Sequence, residues 1–290
     1  MCTAINWNGY FGRTLDYEVS FGERVVSLPR GYTLELQHRK AVEGSFAIVG
    51  MARLERDFPL FFDGMNERGV AMAGLNFVGN AYFPSGEAGD VSAFELIPYI
   101  LSQAESVSDA KELLQGVRIA DTPFSPDFPT APLHWLIGDK SESVTVESGR
   151  DGVRIYENPA GVLTNNPPFP YQMMHLNCYL NLTAGYVESR FSKGLELKQI
   201  SRGMGAIGLP GDWSSPSRFV RATFVRENTL KERSVAHFFN IMSSVSVPKG
   251  CMALDNGELE YTRYIACMDL ENGVYYHKTY DGMSIEKRGF

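Results

Sequence analysis

The chain opens Met1-Cys2-Thr3-Ala4-Ile5, and Cys2 is the residue best equipped for chemistry. Its side chain is small enough to permit removal of the initiator methionine. The mature chain would then carry a thiol and a free α-amine on the same residue. An α-amine near pKa ~7.7–8.0 is partly neutral at pH 7, so it can take the proton of a thiol near ~8.5. That couple needs no histidine.

Such a couple must be held in place, and the next residues supply a way. Residues 3–7 and 10–16 alternate apolar, aromatic and β-branched side chains around Asn8-Gly9, a two-residue hairpin turn in which both positions take positive φ. The turn predicts Trp7 opposite Tyr10, Ala4 opposite Arg13 and Cys2 opposite Leu15. Arg13 then lies diagonal to Cys2 on one face, a span of roughly 7–8 Å between backbones that a long side chain covers. Asp16 falls opposite Met1 and, once that residue is gone, faces the new α-ammonium. Its parity puts the side chain on the other face, so a bulge or a bend at the strand end must re-aim it. Arg13 would favour the thiolate and Asp16 would hold the amine. An ordinary surface hairpin carries charges of this kind too.

Acyl transfer also needs donors for a tetrahedral oxyanion. Asn76, after the strand pattern at 70–75, and Asn165, in Thr164-Asn165-Asn166-Pro167, stand where a side-chain amide can aim into a cleft. Asparagines after strands are equally turn residues that bond their own backbone. Arg218 falls in the first turn of a helix begun by Ser215-Pro216, where the helix dipole disfavours a cation. It requires an anionic partner, which could be Asp16, a thiolate or nearby Asp212.

The elements around these residues read as follows. Strands are predicted at 24–28, 32–37, 46–52, 60–62 and 70–75, then 134–137, 143–147, 153–156 and 161–164, and finally 261–269 and 273–280. Helices are predicted at 93–103, from the cap Ser106 to about 116, at 170–180, from 215 to about 227, and at 233–244. Four prolines make 121–132 a loop, and 182–211 is a weakly periodic excursion. Successive strands with short turns imply antiparallel sheets in a mixed α/β chain. No linker or repeat divides residues 1–290, so a single domain is expected.

Composition narrows the partners. The chain has 290 residues, 44% hydrophobic, with a net charge of −7, which argues against nucleic acid and anionic membranes. No secretory signal is expected, because no apolar stretch follows a basic start, and no run of about 18 apolar residues is present to enter a bilayer. Cys2, Cys178, Cys251 and Cys267 show no paired spacing, and the five histidines none of a metal ligand set, so no metal is expected and a reducing cytoplasm is the simplest location.

Several blocks resemble one family. Met1-Cys2-Thr3 with Gly12-Arg13-x-x-Asp16, Asn66-Glu67-x-Gly69, Gly74-Leu75-Asn76-Phe77, Leu163-Thr164-Asn165-x-Pro167, and Gly208-Leu209-Pro210-Gly211-Asp212 with Ser217-Arg218-Phe219 are similar, in order, to the choloylglycine hydrolases. These are N-terminal-nucleophile amidases that include bile salt hydrolases and penicillin V acylases. The resemblance implies an α+β fold, the four-layer αββα sandwich of two antiparallel sheets. It implies no cofactor and a catalytic set of Cys2, Arg13, Asp16, Asn76, Asn165 and Arg218. In that set Cys2 attacks an amide carbonyl, and Asn165 and the Asn76 region hold the oxyanion. Leu15, Phe62 and Leu133 are the implied lining for an apolar acyl group. Asn at position 76 resembles the bile salt hydrolases, where many penicillin V acylases carry Tyr, so conjugated bile salts are the expected small-molecule amide substrate. Penicillin V or another N-acyl amide is the alternative, and a non-catalytic acyl-binding protein of the same fold is the third reading. The resemblance also suggests a bacterial homotetramer with 182–211 as the assembly arm.

Overall fold

The computed structural model describes residues 1–85 and 89–290. In chain order its elements are β1 (Cys2–Trp7), β2 (Tyr10–Tyr17), β3 (Arg24–Leu28), β4 (Ile48–Glu55), β5 (Phe58–Asn66), β6 (Ala71–Asn76) and β7 (Val91–Ser92). There follow α1 (Leu96–Leu101), α2 (Val107–Leu114), β8 (Ile119–Ala120), β9 (Leu133–Gly138), β10 (Ser143–Gly149), β11 (Gly152–Glu157), β12 (Val162–Leu163) and α3 (Phe169–His175). The chain closes with α4 (Ser215–Asn228), α5 (Val235–Ser243), β13 (Tyr261–Asp269), β14 (Val274–Thr279) and β15 (Glu286–Arg288).

The first hairpin has the expected register. Asn8 and Gly9 both take positive φ (49° and 77°), and Cys2 pairs with Leu15, Ala4 with Arg13, and Trp7 with Tyr10. The hairpin lies inside a six-stranded antiparallel sheet of order β12-β1-β2-β13-β14-β15. A seven-stranded antiparallel sheet, β11-β10-β9-β6-β5-β4-β3, faces it. Alternation along each strand sends every second side chain into the layer between the sheets. Ala4, Phe11, Met65 and Leu136 pack there, in an apolar cluster that continues through the six-stranded sheet to Phe219 of α4 and Phe238 of α5. A second cluster joins the outer face of the seven-stranded sheet to α1 and α2 through Met72, Trp135, Leu101 and Val107. Helices thus cover both outer faces, giving the four-layer αββα sandwich. At Gly12 an added Cβ would lie 2.1 Å from Ala266 O and 2.6 Å from Phe238 Cε1, so only glycine lets α5 sit this close.

Local signals set several boundaries. The Ser106 hydroxyl accepts from Asp109 N at 3.1 Å and starts α2. The cap of α4 is Ser214, one residue earlier than expected, with Pro216 at the second position. Residues 32–37 are not a strand: a single bridge, Leu34 to Val42, is what pairs there. The helix expected over 93–103 begins as a 3₁₀ turn at Ala93–Glu95 and ends at Leu101. β15 was not expected; its three residues, Glu286, Lys287 and Arg288, are all charged and carry no apolar pattern. Among the described residues no helix is long and apolar enough to cross a membrane, and no group of three or more His, Cys, Asp or Glu is placed to hold a metal.

Candidate active site

Cys2 begins β1 with its side chain directed between the sheets, and Arg13 reaches it along the diagonal that the hairpin register sets. Arg13 Nη2 donates to Cys2 Sγ at 2.6 Å. The guanidinium is fully buried and otherwise held by carbonyls: Nε donates to Thr14 O at 3.2 Å, and Nη1 to Phe62 O at 3.0 Å and Gly74 O at 2.7 Å. A buried cation aimed at sulfur stabilises negative charge that builds there.

Met1 precedes Cys2 in this chain. Its α-ammonium pairs with the Glu260 carboxylate and donates to Asp16 O at 2.7 Å, while Asp16 N donates to Met1 O at 2.9 Å. Asp16 therefore lies opposite Met1, as the register requires. Burial lowers the pKa of this amine, and Arg218 and Arg13 push it further down, against Cys2 and Asp16, which raise it. The Asp16 side chain is not re-aimed. It keeps its parity and faces the helices, accepting from Thr14 Oγ1 at 3.1 Å and Thr262 Oγ1 at 2.6 Å. The bulge lies in the neighbouring strand, between Thr262 and Tyr264 of β13.

Arg218 crosses from α4 to the same spot. Nη1 donates to Cys2 O and to Thr3 Oγ1, each at 2.6 Å, and Nη2 donates to Asn165 Oδ1 at 2.8 Å. Asp16 Oδ2 lies 4.0 Å away. Of the partners open to Arg218, Asp16 is the carboxylate that approaches it. Asp212 instead accepts from Ser214 N and Ser217 Oγ, which hold its pKa down to about 2.

Asn165 ties these groups together. Its Oδ1 also accepts from Cys2 N at 2.8 Å, and its Nδ2 donates to Asn76 O at 2.8 Å. Buried His134 fixes the approach to it: Nε2 bonds Thr164 O at 2.7 Å while the ring stacks on Phe77. The Asn76 side chain donates to Tyr17 Oη at 3.2 Å. Its backbone is differently placed. Phe77 N bonds Pro132 O at 2.7 Å, so alternation turns the N–H and C=O of Asn76 to the other edge of β6. There β5 has parted from β6, their pairing having ended at Asp63–Ala73. The Asn76 N–H and the second Nδ2 hydrogen of Asn165 are thus the donors available to an oxyanion beside Cys2.

A cavity of about 510 Å³ opens on Cys2 and Arg13. Leu15, Phe62 and Leu133 line it beside Cys2, Arg13 and Asn76; Asn165 and Arg218 do not line it but are hydrogen-bonded to Cys2, and Asp16 lies next to Arg218. Sequence reasoning missed Tyr17, Phe21, Phe94, Phe124 and Phe128, whose rings complete the walls. The length and proline content of 121–132 were a signal, since long irregular loops in compact domains commonly cover sites. Glu260 and Asp63 were missed as well, and no local pattern marks either.

Comparison with known proteins supplies the family and the fold. The family described as linear amide C–N hydrolases, choloylglycine hydrolase family, matches residues 2–289. A bile salt hydrolase/transferase of Lactiplantibacillus plantarum is 44% identical over 294 residues, covering 98% of this chain and 91% of its own. The crystal structure of the C2A mutant of the conjugated bile acid hydrolase from Clostridium perfringens superposes with a TM-score of 0.92 at 31% identity, covering 100% of this chain and 92% of that one. Penicillin V acylase from Agrobacterium tumefaciens shares the fold, with a TM-score of 0.78 at 22% identity over 100% of this chain and 86% of that one.

Proposed function

Because the chain belongs to the choloylglycine hydrolase family of linear amide C–N hydrolases, we propose that it hydrolyses glycine- or taurine-conjugated bile salts with Cys2 as nucleophile. One observation carries the reading: the Cys2 thiol, held by Arg13, lies at a large aromatic-lined cavity fit for an apolar acyl body. Relatives named bile salt hydrolase or conjugated bile acid hydrolase supply the substrate class.

The mechanism follows from the contacts. Removal of Met1 turns Cys2 N from an amide into an amine beside Asn165 Oδ1. That amine takes the thiol proton as sulfur attacks the acyl carbon and the C–S bond forms. The oxyanion is met by Asn165 Nδ2 and Asn76 N–H, each such donor worth ~3 kcal/mol of barrier. As the C–N bond breaks, the amine returns its proton to the leaving glycine or taurine nitrogen. Water then loses a proton to the same amine, attacks the thioester and restores the thiol. Arg13 supports charge on sulfur. Arg218 and Asp16 fix the strand end that carries the amine. Residues 1–290 act as one catalytic domain.

The free cysteines Cys2, Cys178, Cys251 and Cys267 fit a cytoplasmic location. The exposed apolar side chains of 182–211 fit a homotetramer assembled through that arm. Hydrolysis of glycocholate, taurocholate and penicillin V under one set of conditions tests the substrate. A higher kcat/KM for either bile salt is expected. A preference for penicillin V would overturn the substrate and leave the cysteine amidase mechanism standing.

A further inference from the structure

Behind Arg13, on the side away from the cavity, sits a carboxylate that the mechanism above does not use. Asp63 of β5 is fully buried between the sheets, with Oδ2 4.0 Å from Arg13 Nε. Both its oxygens are occupied. Tyr264 Oη donates to Oδ2 and Tyr275 Oη to Oδ1, each at 2.6 Å. The two phenols come from neighbouring strands of the opposite sheet, so the carboxylate is clamped across the interlayer. Burial beside it pushes both phenols well above 10, which keeps them as donors. Burial also raises Asp63, against Arg13 and the two hydroxyls, which lower it. The other titratable groups electrostatically linked to this cluster are Cys2 of β1, Asp16 of β2 and His277 of β14.

The reaction gives this arrangement a task. Arg13 is buried and its hydrogen bonds go to neutral carbonyls and to sulfur. A thiolate balances the guanidinium, but a thioester carries no charge. An uncompensated buried cation is costly. We propose that Asp63, clamped by Tyr264 and Tyr275, is a positioning residue: it is the standing counter-ion of Arg13 through the part of the cycle in which sulfur is acylated. This rests on Cys2 being the nucleophile and not on the identity of the acyl group. With Asp63 in place, Arg13 stabilises charge on sulfur without holding the thiolate so tightly that acylation becomes unfavourable.

Two measurements on Asp63→Asn test it, in a Cys178→Ser/Cys251→Ser background so that alkylation reports on Cys2. Removing a negative charge near the sulfur favours its deprotonation. The acidic limb of the iodoacetamide rate should therefore move to lower pH, with alkylation roughly threefold faster on that limb. Turnover should move the opposite way, kcat falling about tenfold with KM little changed, because acylation leaves Arg13 unbalanced. Tyr275→Phe keeps the carboxylate but loosens its clamp, and should shift both readouts in the same directions by less. If Asp63→Asn does not fold, Tyr275→Phe and Tyr264→Phe decide the matter alone. Unchanged alkylation and kcat with a lowered Tm would make Asp63 purely structural and overturn the proposal. A wild type whose Cys2 resists alkylation at every pH would sink it together with the nucleophile assignment.

Discussion

Residues 2–17 and 182–211 treat their side chains in opposite ways. In the hairpin nearly every residue is buried, and buried Arg13, Thr14 and Asp16 each make defined hydrogen bonds. In the excursion Tyr186 and Phe191 are exposed and Ile200 is 92% exposed, with one 3₁₀ turn at Met204–Ala206 as its helical element among the described residues. The hairpin is over-determined: register, turn and packing all give a side chain the same place. The excursion is under-determined, because its apolar groups find no cover within the chain. The proposed chemistry sits where positions are over-determined, since a nucleophile and its donors must hold their geometry closely.

The sharpest way to break the contrast is at Cys2. Cys2→Ala should lower kcat by roughly 10⁴-fold or more while the fold persists, because a methyl occupies less of the same space. A form with residues fixed ahead of Cys2 should be equally inactive, since its nitrogen stays an amide. Activity assays beside circular dichroism check both, and full turnover by the blocked form would remove the amine from the mechanism.

Asn165→Ala comes next. It removes an oxyanion donor and the acceptor shared by Cys2 N and Arg218 Nη2. A loss of about 10²–10³-fold in kcat is expected from the donor alone. Stability should fall too, because a fully buried guanidinium loses a partner. Calorimetry showing no change in Tm would mean that the Arg218 bond to Asn165 is dispensable.

Asp16→Asn should have a smaller effect, roughly tenfold in kcat. Its pH dependence is the informative part. The amine that Met1 removal creates at Cys2 stands at the strand end where Arg218 bonds Cys2 O, with the Asp16 carboxylate 4.0 Å from that guanidinium. The Asp16 charge favours the protonated amine. Its removal should move the acidic limb to lower pH, even as the rate falls. An acidic limb that moves upward would mean that Asp16 acts on another group.

How far the sequence could be read follows the same division. The turn Asn8-Gly9 and strand alternation are local, and they placed Arg13 on Cys2 correctly. The cap at Ser106 and the limits of β13 were equally local. Thr262 as the partner of Asp16 lies 246 positions away in sequence, and no pattern near either residue announces it. Asp63 is invisible for the same reason: its meaning comes from two tyrosines on another sheet. Residues 32–37 misled because β-favouring Tyr32 and Thr33 begin an alternating run there without a neighbouring strand to pair with, and propensity alone does not supply one. The family blocks singled out Asn76, Asn165 and Arg218 as candidates, which local chemistry left as ordinary turn residues or a surface pair.

Asn76→Tyr acts on selectivity more than on rate. The Asn76 side chain lies in the cavity wall and bonds Tyr17 Oη. A tyrosine there narrows the space beside the thiol for a rigid steroid and suits a flat phenoxyacetyl group better. One pocket residue commonly moves discrimination by about 1–3 kcal/mol. The ratio of kcat/KM for glycocholate over penicillin V should shrink accordingly. An unchanged ratio would place the selectivity elsewhere in the wall, with Phe124 and Phe128 of the covering loop the next positions to vary.

The smallest effect on catalysis belongs to the excursion. Phe191 is 79% exposed, so changing it and Ile200 to serine removes no packing within the protomer. Exposed substitutions of this kind usually alter stability by no more than about 0.5 kcal/mol. The proposed catalytic residues are held by contacts among the hairpin, β6, β13, α4 and the Asn165 segment, none of which involves 182–211. Phe191→Ser/Ile200→Ser should therefore leave kcat per protomer within about twofold of wild type when measured on dilute enzyme. If the proposed assembly uses this arm, the variant's mass in light scattering should fall below that of the wild type, because the apolar groups that a neighbouring copy would cover are gone. An unchanged mass would remove the excursion from assembly. A collapse of kcat alongside an intact protomer fold would do more: it would show that the under-determined region is ordered by a neighbour and completes the cavity, so that the contrast with the hairpin holds for the isolated chain alone.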